Sequence, residues 1–334
     1  MKAQIVHQYG KKTQLKLIEL PEPEVQKDEV LVKIAAAGVN LLDSKLRNGD
    51  FKLLLPYKLP FVLGHDVAGT VIKIGSNIKR FKIGDEIYAR PADHRIGTFA
   101  ELIAIKEEDL AIKPKSFTME EAASIPLVGL TAWQALVEIG KVNKGQKVFI
   151  QAGSGGVGTF AIQLAKYLGA TVATTTSAKN IEFVKSLGAD IVVDYNKDDF
   201  ENKISNFDVV LNSQDGKTLN KSLNVLKPGG KLISISGPPD LAFAEDIKAS
   251  WFIKLVMQLL SFQITQKAKK LKIDYSFLFM KANGNQLSEI TSLIDSGKIR
   301  PVIDKVFPFD ATNEAMAYVE NGRAKGKIVV KVSQ

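Results

Sequence analysis

FIQAGSGGVGTFAIQLAKYLGATVATTTSAKN, residues Phe149–Asn180, is the stretch from which the rest of the chain can be read. An apolar run, Val148 to Ile150, enters a loop in which Gly153, Gly155 and Gly158 satisfy G-x-G-x-x-G, with Gly156 as an extra glycine. Ala161, Leu164, Ala165 and Leu168 then recur at helical spacing, and the strand-like run ATVATTT follows. Glycines at these positions are a weak signal alone. A strand running into the loop and an amphipathic helix leaving it give the pattern its meaning. Such a loop offers backbone N–H groups and the positive end of a helix dipole to a pyrophosphate, which points to a dinucleotide.

The same stretch contains no Asp or Glu. A loop that holds NAD normally places a carboxylate about 20 residues after the glycines to grip the ribose hydroxyls. Here the second strand ends in TTTSAKN, where Thr176, Ser177 and Lys179 stand. Ser177 and Lys179 can donate hydrogen bonds to a 2′-phosphate that a carboxylate would repel. At about 1.5–3 kcal/mol per charge-assisted bond, two contacts predict a preference for NADP(H) over NAD(H) on the order of a hundredfold or more. The other reading of Lys179 is a cap on a solvated helix.

Outward from this stretch, the chain reads as two architectures. Residues 26–110 read as short strands and turns: EVLVKIAAAGVN places Val30, Val32 and Ile34 on one face, and Gly64, Gly69, Gly75 and Gly84 punctuate the following runs. From Thr118 onward helix-length and strand-length segments alternate through KVFIQAG, ATVATTT, DIVVDY, FDVVLNS and GGKLISISG. That alternation predicts a parallel sheet with helices on both faces. The expected fold class is α/β, a doubly wound parallel sheet beside a compact, irregular β-barrel.

A length of 334 residues fits two domains. The N-terminal MKAQIVHQYGKK has no apolar core of a secretory signal, and the longest greasy run, Trp251 to Ile264, is interrupted by Lys254 and too short to span a bilayer. A cytoplasmic location and no stable membrane association are expected. The chain contains no cysteine, which excludes disulfides, thiolate nucleophiles and every Cys-liganded metal site. A net charge of +9 raises the question of nucleic acid. Most of that charge alternates with acids and no aromatic–basic platform is visible, so no nucleic-acid partner is expected. The exception is Ile247 to Leu271, with Lys248, Lys254, Lys267, Lys269 and Lys270 and no acid.

Several separated motifs agree with one family. GVNLLDSKLRNG, LGHDVAGTVIKIG, GDEIYA, GTFAEL, ASIPLVGLTAWQAL, AGSGGVGTFAIQLAK, LGAD and ENGRAKGKIVV occur in order along nearly the whole chain. The sequence resembles the medium-chain dehydrogenase/reductases, and more narrowly their zinc-free quinone oxidoreductase and alkenal (enone) reductase branch. The resemblance implies a GroES-like catalytic domain over residues 1–122, a Rossmann NADP-binding domain over 123–280, and a return to the first domain over 281–334, with the cofactor in the cleft. It further implies cofactor contacts from Ser154, Gly155, Gly156, Val157 and Gly158, from Thr176, Ser177 and Lys179, and from Lys45, Tyr195, Ser236, Gly237 and Arg323. Tyr195 and Arg323 match positions near the adenosine 2′-phosphate, although each has a plainer reading, a strand-end aromatic and a surface charge.

Zinc-dependent members carry Cys, His and Cys as catalytic ligands. This sequence keeps His65 but has Asn40 in the first position and no thiol, so no metal is expected and His65 reads as a hydrogen-bonded structural residue. By resemblance Asn40 and Thr131 lie near the nicotinamide. The expected reaction is zinc-independent hydride transfer from NADPH to the β-carbon of an α,β-unsaturated carbonyl, or to a quinone. Asn40 or the cofactor ribose hydroxyl would stabilise the enolate oxygen, and water, Tyr57 or Tyr275 would protonate the α-carbon. The competing class is an NADPH-binding scaffold or sensor, or a crystallin-like RNA-binding protein, with little turnover. The segment from Pro238 to Tyr275 reads as a substrate lid, a subunit contact or a basic amphipathic helix that touches anionic membranes. DYSFLFM resembles the edge strand through which relatives pair, so a homodimer is expected.

Overall fold

The computed structural model describes residues 1–334 except Lys12, Leu53 and Gln334. The chain divides into two compact units, Met1–Leu130 with the residues from Lys281 onward, and Thr131–Met280.

The first unit opens with strands β1 (Lys2–Val6), β2 (Lys16–Glu19) and the long β3 (Glu29–Val39), followed by helix α1 (Leu41–Asn48). Strands β4 (Phe61–Val62), β5 (Asp66–Ile74), β6 (Glu86–Ala89), β7 (Leu102–Lys106) and β8 (Leu110–Ile112) come next. Val30, Val32 and Ile34 are buried together, as the alternation predicts, in a core with Val67, Val71, Ile87 and Ile105. Leu31, Ala36 and Ala37 of β3 are buried as well, because this strand is the spine of its sheet. It pairs antiparallel with β5 along its length and with β7 at its start. Helix α2 (Met119–Ala123), closed by a Thr118–Glu121 capping box, packs on β3 and β5. Helix α3 (Pro126–Trp133) then runs through the division between the units and continues into a π-helical turn, Gln134–Ile139. The boundary expected after residue 122 falls inside α2, whereas the contact division falls after Leu130 within α3.

The second unit alternates β9 (Lys147–Ile150), α4 (Gly156–Tyr167), β10 (Thr171–Thr176), α5 (Ile181–Ser186), β11 (Ile191–Asp194), β12 (Phe207–Asn212), α6 (Gly216–Ser222) and β13 (Leu226–Ser234). Helices α7 (Leu241–Asp246) and α8 (Trp251–Lys270) precede the edge strand β14 (Asp274–Phe277). The strand order is β11-β10-β9-β12-β13-β14, parallel throughout. Numbered within the unit, this is the order 3-2-1-4-5-6 of the doubly wound dinucleotide fold, whose connections reverse direction between the first and fourth strands. Buried Phe149, Ala173, Val210 and Leu232 from four adjacent strands share a core with Phe200 and Phe207.

Helix α9 (Gly284–Asp295), strand β15 (Ile303–Pro308), helix α10 (Thr312–Glu320) and strand β16 (Lys327–Lys331) return to the first unit. Strand β16 pairs antiparallel with the end of β3, Ile328 opposite Val39, and β15 lies parallel beyond it.

Candidate active site

In the second unit the glycine loop leaves β9 at the point where the strand order reverses, where open α/β sheets bind ligands. The run of threonines on β10 builds the loop. Thr174 Oγ1 donates to the Ile150 carbonyl at 2.6 Å, Thr175 Oγ1 accepts from the Ala152 amide at 3.1 Å, and the Thr175 carbonyl accepts from the Gly153 amide at 3.0 Å. The glycines divide the labour. A Cβ on Gly153 would lie 2.1 Å from Thr174 Oγ1, and one on Gly158 would lie 2.3 Å from the Ala152 carbonyl oxygen. These positions must be glycine for strand and helix to pack. A Cβ on Gly155 would meet only the Ala152 carbonyl at 3.4 Å, so the protein leaves the space over this residue open. Gly155 is also the N-cap of α4, which receives no side-chain cap. The first-turn amides of Gly156, Val157 and Gly158 thus keep their donors for a partner from outside the helix. This open cradle fits a pyrophosphate.

Ser154 Oγ accepts from Thr176 Oγ1 at 3.1 Å and from Asn180 Nδ2 at 3.2 Å. Thr176 is buried, so its hydroxyl supports the loop; Ser177 is half-buried and Lys179 exposed. The Tyr195 amide donates to the Thr176 carbonyl at 3.2 Å, which brings Tyr195, 61 % exposed, beside the Ser177 turn. Sequence reasoning passed over Asp194, which lies directly across from Thr176 on the neighbouring strand. Its Oδ1 accepts from the Asn196 amide at 3.1 Å, a turn-forming bond, and its Oδ2 is buried without a partner.

A buried polar chain crosses the ends of β9, β12 and β13 and was also missed. Gln151 Nε2 donates to Ser222 Oγ at 2.7 Å, Asn212 Nδ2 to Gln151 Oε1 at 2.6 Å, and Ser234 Oγ to Asn212 Oδ1 at 2.6 Å. Ser236 Oγ donates to the Gln214 carbonyl at 2.6 Å, and the Gly237 amide to Ser234 Oγ at 2.8 Å. Polar residues at strand ends look like ordinary turn residues in sequence, and only their convergence distinguishes them. Tyr275 Oη donates to the Pro238 carbonyl at 2.7 Å. Burial, then the nearby Asp240 charge, push its hydroxyl well above the ordinary phenol range. Thr131 is buried in α3.

In the first unit Asn40 is held at both ends of its amide. Nδ2 donates to Asp66 Oδ2 at 2.9 Å, and Oδ1 accepts a very short bond from Lys327 Nζ. Lys327 Nζ also donates to Asp66 Oδ2 at 2.9 Å and to the Val39 carbonyl at 3.3 Å. Asp66 Oδ1 accepts from the Leu127 amide at 2.7 Å, and the Asn40 amide donates to Asp43 Oδ2 at 2.7 Å. Asp43 Oδ1 lies 2.6 Å from His65 Nδ1, while His65 Nε2 is buried without a partner. His65 is therefore the structural, hydrogen-bonded residue expected. The Asn40 side-chain amide points its N–H groups to Asp66 Oδ2 and, at 3.5 Å, to the Gly38 carbonyl.

Tyr57 is likewise engaged by its own unit. Its hydroxyl donates a very short bond to the Asp93 carbonyl, and its ring stacks on Phe61 at 4.9 Å. Burial first and the Asp93 charge second raise its hydroxyl far above the ordinary value. Both phenol hydroxyls are thus hydrogen-bonded to backbone carbonyls. Lys45 stands in the last turn of α1, and Arg323 is exposed after α10.

Two family models match, described as an alcohol dehydrogenase GroES-like domain over residues 26–115 and a zinc-binding dehydrogenase over residues 187–330. The residues do not fit zinc at the Asn40 position. The Lys327 ammonium already neutralises Asp66 there, thiolates are lacking, and no group of His, Cys, Asp or Glu among the described residues is placed to hold a metal ion. The chain is 35 % identical to a Danio rerio protein named NAD(P)H oxidoreductase RTN4IP1, mitochondrial, over 100 % of this chain and 92 % of that protein. It is 36 % identical to an Arabidopsis thaliana NADPH-dependent alkenal/one oxidoreductase, chloroplastic, over 99 % of this chain and 79 % of that protein. The solved structure of a quinone oxidoreductase from Coxiella burnetii superposes with a TM-score of 0.87 at 32 % identity, covering 100 % of this chain and 99 % of that one.

Proposed function

Because the chain belongs to the medium-chain dehydrogenase/reductase family, in its zinc-free quinone oxidoreductase and alkenal reductase branch, we propose that it is an NADPH-dependent, zinc-independent reductase of α,β-unsaturated carbonyls or quinones. The observation that carries this reading is the end of β10, where Thr176, Ser177 and Lys179 stand in place of a ribose-binding carboxylate beside a loop whose Gly155 leaves room for a pyrophosphate. The bound reduced nicotinamide would supply a hydride to the electron-poor β-carbon of the acceptor.

The chain's own residues bind and orient. The amides of Gly155 to Gly158 receive the pyrophosphate, Ser177 and Lys179 donate to the 2′-phosphate, and Tyr195 flanks the adenosine. Ser154 and Thr176 hold the loop in shape through their mutual hydrogen bond. Ser236 and Gly237, fixed by Asn212 and Ser234, form the floor at the end of β13. Thr131, Lys45 and Arg323 are further proposed cofactor contacts that rest on the family resemblance. Asn40 acts through its neighbours as a positioning residue. With Tyr57 and Tyr275 committed to backbone carbonyls, the proton for the α-carbon comes from solvent.

We place the enzyme in the cytoplasm as a homodimer, for which the free edge of β14 is the candidate contact. Among the described residues no helix is long and apolar enough to cross a membrane. The test is a fluorescence titration with NADPH and with NADH, followed by addition of an enone and then a quinone. Tight NADPH binding, weak NADH binding and loss of the NADPH signal on adding either acceptor are expected. Binding without consumption by any acceptor would favour a scaffold instead.

A further inference from the structure

Helix α8 is only shallowly bound to the unit that carries it. Ile264 and Ala268, in its second half, join the core around Phe149, Val210 and Leu232. In its first three turns only Met257 and Ser261 are buried. Residues spaced around the opposite side of the helix are large, apolar and exposed: Trp251 at 76 %, Leu259 at 67 % and Leu260 at 62 %, together with Phe252, Leu255 and Phe262. Soluble chains rarely leave a contiguous apolar surface of this kind uncovered, and such a surface marks an interaction site.

The charges around this face indicate what covers it. Lys248 and Lys254 flank its start, and Lys267, Lys269 and Lys270 close its end, with no acid between Ile247 and Leu271. None of these lysines forms an ion pair among the described residues; Lys267 Nζ donates to the Asn220 carbonyl at 3.1 Å. Glu245 and Asp246 lie in the preceding helix. The basic end borders a groove of about 710 Å³ lined by Lys231, Lys269 and Lys272 with a single acid, Asp274. An apolar band bearing a tryptophan and two phenylalanines, bracketed by unpaired cations, matches the boundary between acyl chains and anionic headgroups. A protein partner would have to desolvate these lysines or supply acids to meet them, and α8 offers no acids with which a second copy could do so.

We propose that α8 is a peripheral docking surface for anionic lipid bilayers, with Trp251, Phe252, Leu255, Leu259 and Phe262 entering the interface and Lys267, Lys269 and Lys270 at headgroup level. This replaces the sequence-based expectation of no stable membrane association, and it does not depend on the proposed reaction. In sequence the segment reads as a lid, a subunit contact or a basic amphipathic helix; which of its residues face outward becomes visible only in the fold.

The test is co-sedimentation of the full chain with vesicles of phosphatidylcholine containing about 30 % phosphatidylglycerol, against pure phosphatidylcholine, at about 0.15 M salt. Binding at least about tenfold stronger to the anionic vesicles is expected, with a blue shift of Trp251 emission in a Trp133→Phe background. Trp251→Ser/Phe252→Ser/Leu259→Ser is expected to abolish binding. Lys267→Gln/Lys269→Gln/Lys270→Gln is expected to remove the anionic preference by about tenfold or more while leaving circular dichroism unchanged. If a variant does not fold, release of the unaltered chain on raising salt to about 0.5 M supplies the same discrimination. Equal binding to both vesicle types, or none, overturns the proposal. So does a wild-type dimer that ignores vesicles and becomes monomeric in the apolar triple variant, which would make the face a self-contact.

Discussion

The glycine loop of the second unit and the Asn40–Asp66–Lys327 cluster of the first treat polar groups in opposite ways. At the loop the protein withholds its own atoms: no side chain caps α4, and the space over Gly155 is left open. In the cluster the protein supplies everything, since Lys327, Asn40, Asp66 and Asp43 answer one another's hydrogen bonds in a buried chain. Only His65 Nε2 in that chain has no partner. Where a charged ligand is to come and go, donors stay uncommitted. Where charge is permanent, a buried carboxylate is matched by a buried ammonium, because an unmatched one costs far more than the pair contributes.

The largest effect tests the closed side of this contrast. Lys327→Met leaves Asp66 buried without its cation and is expected to destabilise the chain by about 3–5 kcal/mol, read as a drop in the chemical-denaturation midpoint. An unchanged midpoint would mean the cluster is not the closed network described. Next, Gly158→Val drives a side chain into the Ala152 carbonyl and should cost about 3 kcal/mol. Gly155→Ala sharpens the difference: it should leave the thermal midpoint nearly unmoved while weakening NADPH binding about tenfold or more, in keeping with a role reserved for the ligand. Lys179→Ala should lower NADPH affinity by about 1.5–3 kcal/mol and leave NADH binding alone, a split that binding isotherms resolve directly. The smallest effect is at Tyr57→Phe, which should cost about 1 kcal/mol of stability and leave the rate of enone reduction within about twofold. A collapse of that rate would restore the phenol as proton donor.

Much of the second unit was legible because its signals are local. Val148 to Ile150, the three glycines and the Ala161–Leu168 periodicity lie within a single strand–loop–helix, and the structure forms that unit. The absence of a carboxylate after the glycines could likewise be read by counting. The cluster was not legible, because its central pair, Asn40 and Lys327, is separated by 287 positions, and a lysine in GKIVV carries no mark of burial. The partners of Asn40 and Tyr57 were not legible for the same reason: a hydrogen-bonding side chain names its chemistry but not its partner, and Asp66 and the Asp93 carbonyl are set by tertiary pairing. Asp194 was overlooked because it belongs to the next strand, and register alone brings it beside Thr176.

The seating of β16 against β3 has a consequence for the order of assembly. The second unit is complete once Met280 has been synthesised and can fold on the ribosome. The first unit cannot, since the far half of β3 waits for Ile328 to Lys331, and Asp66 waits for Lys327. Its earliest strands must persist through most of translation with an unpaired edge, and Asp66 without its cation. The slow, long-range closure of that barrel is then the step in biogenesis at which the nascent chain is most exposed to aggregation and most in need of a chaperone.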